Sequence, residues 1–304
     1  MQAPSFELAF ASPRKLPRVR DVRGNVAVLD IAFASEAGGH SFTSTTLPFI
    51  DGLGPRLAAW VDHHDSAFHA RYAGDPRFVL STKAEHGACP EMVTPEVVER
   101  AGQVDTLVCH VDFDGLASGA KWIRRGVEPY PGCDVDARAV DTRTGTPGPV
   151  AVRIDRALRA RPRDHALFGI IVRLLGSGIA DRSLWEPIDA AGAELAVMEA
   201  EARRLAAGYE RVASDLVIVD ATVRRASYDK TLLLLIGQER ARMSAVVDGD
   251  SVTFAAGFDS GVNFLTSFGI SGGMPTRVSI QRSKLAEALA SLGVAPDIAP
   301  RFAR

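Results

Sequence analysis

Short apolar runs that end in polar clusters recur through the first half of the chain. Residues 26–34 (VAVLDIAFA) carry Asp30 within the run, and residues 57–66 (LAAWVDHHDS) end in Asp62, His63 and His64. Residues 105–115 (DTLVCHVDFDG) end in Asp112 and Asp114, and residues 137–145 (ARAVDTRTG) end in Asp141 and a turn. Runs this short and this apolar predict buried strands of a parallel sheet. Helical stretches lie between them. Residues 94–102 (TPEVVERAG) offer Thr94 as N-cap and Pro95 as first helical position. Residues 116–126 (LASGAKWIRRG) predict a helix of small and apolar residues, a helix or loop is expected around residues 47–57, and His86 falls on an expected helix. Strands alternating with helices predict an α/β domain, whose ligands gather at the carboxyl ends of the strands. All four acid-bearing clusters fall there.

From residue 183 to 211 the chain is rich in Ala, Leu, Glu and Arg with few breakers, which predicts one long connecting helix. Beyond it, DLVIVDATV, TLLLLIGQ, RMSAVVDGD and SVTFAAGF predict strands, with DGD turning a hairpin between the last two. GISGGMP is a glycine-rich turn before a final strand, and SKLAEALASLG a closing helix. The expected architecture is a Rossmann-like parallel-sheet domain over residues 1–205, joined by the long helix to a smaller α/β domain with a mixed sheet over residues 213–304. A length of 304 residues suits two domains.

Composition narrows this picture. At 46% hydrophobic and 24% charged, the chain can bury a sizeable core, which excludes disorder as its main state. Its 35 basic residues against 37 acidic ones give a charge of -2, so no global basic field holds long nucleic acid. Only five of those basic residues are lysine. Three cysteines without C-x-x-C spacing suggest neither a disulfide framework nor structural zinc, and fit a reducing cytoplasm. No apolar run approaches the roughly 18 residues of a membrane span, and the N-terminus lacks a signal peptide's order. A soluble, cytoplasmic protein without a membrane partner is expected.

In an extended HVDFDG, alternation puts His110, Asp112 and Asp114 on one face. Such a row repels itself unless it meets water or a cation. A solvated acidic loop accounts for a lone D-x-D, but here Asp30, the Asp62–His63–His64 triplet and Asp141 also follow apolar runs. Together they offer oxygen and imidazole ligands without thiolate, a set suited to Mn²⁺, Mg²⁺ or Fe²⁺. Further along, Gly272 and Gly273 permit a close backbone approach to an anion and Arg277 a bidentate phosphate clamp, although the same segment reads equally as a tight turn. Cys109 alternates away from His110 and is read as core.

These motifs resemble the DHH phosphoesterases, named for the tripeptide that appears here as Asp62–His63–His64. VAVLDIAFA resembles that family's strand with a single Asp, and HVDFDGLASG its D-x-D-x-D-G motif with His110 in place of the first acid. AVDTRTG resembles its final metal motif, a D-T pair after a strand. SGGMPTRVSI resembles the C-terminal substrate-binding (DHHA1) domain, with Met274 where family members often carry His. The order differs, since the tripeptide precedes HVDFDG, as in a circular permutation. The resemblance implies two divalent ions, Mn²⁺ foremost and Mg²⁺ as the alternative. His110 and Asp112 would hold one, Asp114, His63 and Asp141 the other, and Asp30 would bridge them. His64 would face the substrate phosphate with Gly272, Gly273 and Arg277, and Asp62 would orient a histidine, which makes Asp62, His63 and His64 the catalytic set.

The function expected is two-metal hydrolysis of a phosphoester in a small nucleotide-like substrate: a short oligonucleotide, a cyclic dinucleotide or a bisphosphorylated nucleotide. A polyphosphatase or pyrophosphatase is the alternative within this class. A non-catalytic nucleotide sensor on the same fold is the alternative outside it. A homodimer is compatible with the sequence.

Overall fold

The computed structural model describes residues 6–36 and 39–302. Five parallel strands form its first sheet: β1 (Glu7–Ala11), β2 (Val26–Leu29), β3 (Leu57–Asp62), β4 (Phe78–Leu80) and β5 (Thr106–His110), in the order β1-β5-β2-β3-β4. Alternation along a strand divides its side chains between two cores. Ala27 and Leu29 of β2 pack into one cluster with Leu107, Leu116 and Ile171, while Val26 and Val28 join the other with Phe49 and Trp60. The helices that cover the sheet are α1 (Leu47–Leu53), α2 (Pro95–Ala101), α3 (Phe113–Ile123), α4 (Cys133–Thr142), α5 (Pro149–Ala160) and α6 (His165–Gly176). Thr94 caps α2 by accepting from the Val97 amide, with Pro95 at the first position, as its sequence predicts.

α7 (Trp185–Ala206) runs through 22 residues. The chain divides into two compact units within it. The first takes in residues up to Ala34 and His40–Ala193; the second runs on from Glu194 and also includes Ser35 and Glu36. The helix ends at Ala206 and the chain turns through Gly208 into β6 (Glu210–Ala213), where sequence extended the helix to residue 211. β6 opens a mixed sheet with β7 (Leu216–Asp220), β8 (Met243–Asp248), β9 (Ser251–Ala256) and β10 (Arg277–Gln281), in the order β10-β9-β8-β7-β6. The β7–β8 pair is parallel and the others antiparallel. β8 and β9 close on Gly249 and Asp250, with Gly249 at φ 60°, the conformation a tight hairpin demands. α8 (Lys230–Gln238) packs on one face; α9 (Phe264–Phe268), α10 (Leu285–Ser291) and α11 (Ala299–Phe302) belong to the other.

Two expected strands are helices. Residues 137–142 lie in α4, where the buried Cys133, Ala137 and Val140 recur at helical spacing. TLLLLIGQ forms α8, because Asp229 caps it by accepting from the Leu232 amide and Leu is a strong helix former. An unbroken apolar run carries no period, so the cap decides. The expected helix at His86 is a turn, in which the Thr82 carbonyl accepts from the amides of Glu85 and His86.

Candidate metal centre

The register of the parallel sheet gathers the polar clusters. Leu29 pairs with Val61 on one side and with Cys109 on the other, so the next residues, Asp30, Asp62 and His110, come abreast on neighbouring strands. Asp30 leaves β2 with φ 60°, a left-handed conformation that Asp tolerates better than most residues, and its amide donates to the Val61 carbonyl at 2.9 Å.

HVDFDG does not stay extended. β5 ends at His110, and Asp112 caps α3 by accepting from the Gly115 amide at 3.2 Å. Asp114 therefore sits in the first helical turn, and helical rather than alternating geometry sets its direction. Gly115 makes this elbow feasible, since a Cβ there would lie 2.7 Å from both Cβ and the carbonyl oxygen of His110. Asp141 comes from the last turn of α4 instead of from a strand end.

Among the described residues, the donor atoms form three groups, each with its atoms within 4.8 Å of one another: Asp30, His63 and His64; Asp30, His110 and Asp112; and His63, Asp114 and Asp141. Asp30 is fully buried, yet neither of its carboxylate oxygens has a hydrogen-bond partner. Oδ1 lies 3.1 Å from His63 Nε2 and Oδ2 lies 3.3 Å from His110 Nδ1. His110 Nδ1 is 2.7 Å from Asp112 Oδ2 but out of line for a hydrogen bond, and is also without a partner. Two buried carboxylate oxygens and an imidazole nitrogen, close together and unbonded, are a costly arrangement in an apoprotein. A divalent ion with oxygen and nitrogen ligands satisfies all three. Asp30, His110 and Asp112 fit such an ion.

The two histidines of the tripeptide have distinct surroundings. His63 Nδ1 donates to the His86 carbonyl at 2.8 Å, which turns Nε2 towards Asp30 and Asp114. His64 Nδ1 donates to Asp62 Oδ1 at 2.8 Å. Burial, with the Lys83 charge nearby, pushes the His64 pKa well down, so its ring is neutral and its Nε2 carries the lone pair. Burial raises the Asp62 pKa in spite of the Lys83 charge nearby.

Lys83, which sequence reasoning did not single out, completes the site. It is 2% exposed, and its Nζ lies 2.8 Å from His63 Nε2 and donates to Asp141 Oδ2. Burial and Lys83 lower the His63 pKa, while Asp114 and Asp30 raise it. The 2.8 Å contact points to a neutral ring, because two charged donors cannot share one hydrogen bond. The contact decides: Lys83 is the charged partner, its pKa raised against burial by Asp141, Asp114 and Asp30, and His63 accepts. The available signal was rarity, one of five lysines in an arginine-rich chain, falling just after an apolar stretch.

Other residues that could bear chemistry have structural roles. Cys109 is buried in the core, its thiol pushed up to about 12 by burial and Asp30. Asp134 binds Lys121 at 2.5 Å, and Asp136 accepts from Tyr130 Oη and the Gly148 amide. Gly272, Gly273 and Arg277 belong to the second unit. There Gly272 is buried, Gly273 adopts φ 126°, open to glycine alone, and Arg277 is exposed at the start of β10.

No family model matches the chain, and no curated protein matches it. Solved structures do. The chain is similar to the pGpG-specific phosphodiesterase PggH from Vibrio cholerae, at 13% identity and a TM-score of 0.38, over 64% of this chain and 82% of that one. It is also similar to the exonuclease RecJ bound to manganese, at 14% identity and a TM-score of 0.45, over 91% of this chain and 76% of that one.

Proposed function

We propose that the protein is a metal-dependent phosphoesterase that hydrolyses a phosphoester or phosphodiester bond in a small nucleotide-like substrate. The observation that carries this reading is Asp30: a fully buried carboxylate, both oxygens without partners, between two histidines at the carboxyl ends of a parallel sheet. Asp30, His110 and Asp112 would hold a divalent ion, with Mn²⁺ or Mg²⁺ suited to the donor set. When bound, the ion lowers the pKa of a water and polarises a phosphoryl oxygen.

The chain's own groups do the rest. Asp62 holds His64 in the tautomer with its proton on Nδ1, leaving Nε2 to accept a hydrogen bond from an attacking water or a protonated phosphate oxygen. The His86 carbonyl fixes His63 in the same way. Lys83 places a donor beside Asp141 and its positive charge near Asp114. The adjacency of β5, β2 and β3 supports a permuted DHH-type arrangement, because strand ends converge whatever their order along the chain. The charge of -2 favours a short substrate, since each phosphate of a long one calls for its own cation.

Purified protein with Mn²⁺ is expected to turn over at least one of a panel of dinucleotides, cyclic dinucleotides, bisphosphorylated nucleotides and polyphosphate. Turnover of polyphosphate alone selects the polyphosphatase reading. Tight nucleotide binding without any turnover overturns the enzyme in favour of a sensor.

A further inference from the structure

We infer that Lys83 is a built-in cation of the centre: its ammonium stands where a second divalent ion would bind, among His63, Asp114 and Asp141, so the chain takes up one divalent ion and not two. This rests on the metal-centre reading above.

The geometry at Nζ is the ground for it. Three side chains form this donor group, and Lys83 engages two of them directly, at 2.8 Å from His63 Nε2 and in an ion pair with Asp141. Asp114, whose Oδ2 lies 3.3 Å from the same Nε2, backs the ammonium with its charge. An imidazole nitrogen has one lone pair, and on His63 it receives the Lys83 proton while Nδ1 is committed to the His86 carbonyl. A second ion coordinated at His63 Nε2 must therefore displace Lys83.

Lys83 is also held against displacement. The Glu85 carboxylate accepts from Ser81 Oγ at 2.7 Å, from Thr82 Oγ1 at 3.0 Å and from the Thr82 amide at 3.2 Å, which closes the turn around residue 83. The Lys83 amide donates to Asp65 Oδ2 at 3.3 Å. Driving the ammonium out would strip a buried charge of its partners without offering it others.

Lys121 serves as an internal control. It is buried too, 6% exposed, but pairs with one carboxylate, Asp134, and one backbone carbonyl, Pro90. That is how a lysine is satisfied inside a core. Lys83 differs in facing an imidazole lone pair and several carboxylates at the strand ends where Asp30 stands unpartnered. The group of Asp30, His110 and Asp112, by contrast, has no ammonium bonded to it among the described residues, and its unbonded atoms are those of Asp30 and His110. One group is left open for an ion; the other is already filled.

Bound metal can be counted without reference to activity. The full chain, dialysed against excess Mn²⁺ and then freed of unbound ion, is expected to retain one Mn²⁺ per chain by elemental analysis and to give the electron paramagnetic resonance spectrum of an isolated ion. Lys83→Ala is expected to retain two, with an exchange-coupled spectrum. Two coupled ions in the unsubstituted protein overturn the inference and leave the metal-centre reading standing, whereas no bound Mn²⁺ overturns both. A folded Lys83→Ala that still holds one ion also counts against it. If the variant fails to fold, the count on the unsubstituted chain decides alone.

Discussion

The two units bury their polar groups in opposite ways. In the second, Ser244 Oγ donates to the Leu234 carbonyl at 2.9 Å, Thr253 and Ser279 share a hydroxyl contact at 2.9 Å, and Asp229 is spent on a helix cap. Among the described residues, no buried side-chain nitrogen or oxygen without a hydrogen-bond partner falls in that unit. The first unit leaves several such atoms, on His69, Ser118 and Asp134 among others, and those of Asp30, Asp62 and His110 cluster at the carboxyl ends of adjacent strands. A closed polar core only holds a fold together. An open one carries an unmet demand, and its position tells what kind of partner meets it.

Three substitutions probe this contrast. Asp30→Asn keeps the left-handed backbone and the shape while removing the charge. Hydrolysis is expected to fall at least about a hundredfold, beyond what loss of an outer partner of a metal ligand costs. In chelator the same variant is expected to melt higher than its parent, because an uncompensated buried carboxylate has gone. A lower melting temperature would mean that Asp30 is satisfied without an ion, and the contrast between the units would collapse. Asp62→Asn weakens the hold on His64 and is expected to slow turnover about 10- to 100-fold with Mn²⁺ stoichiometry unchanged; loss of the ion would instead make Asp62 a ligand. Ser244→Ala, in the closed core, is expected to cost about 1 kcal/mol in chemical denaturation and leave Mn²⁺ binding untouched.

Much of this was legible from the chain alone, and for a definite reason. Asp30, Asp62, His63 and His110 follow short apolar runs where packing gives no cause for charge, so their presence signals chemistry at strand ends. Thr94 and Pro95 announce α2 through capping, which acts within a few residues and survives any tertiary context. α4 and α8 were misread because short apolar stretches do not distinguish a strand from one face of a helix. Asp112 and Asp114 reach the strand ends not by alternation along an extended HVDFDG but through a strand-to-helix elbow at Val111, which alternation does not foresee. Lys83 was missed because its role comes from a turn that brings it against residues distant in sequence, and a single lysine carries no motif.

Asp30 stands at φ 60°, and this backbone fact bears on which variants a mutational library can reach. Most side chains are strained there, with Gly, Asn and Asp the inexpensive choices. Selection for folding alone at this codon should recover those three, while selection for turnover should recover only Asp. Glu, which keeps the charge, drops out of both screens, so the position tells apart the demand for a carboxylate from the demand for this particular bend in the chain.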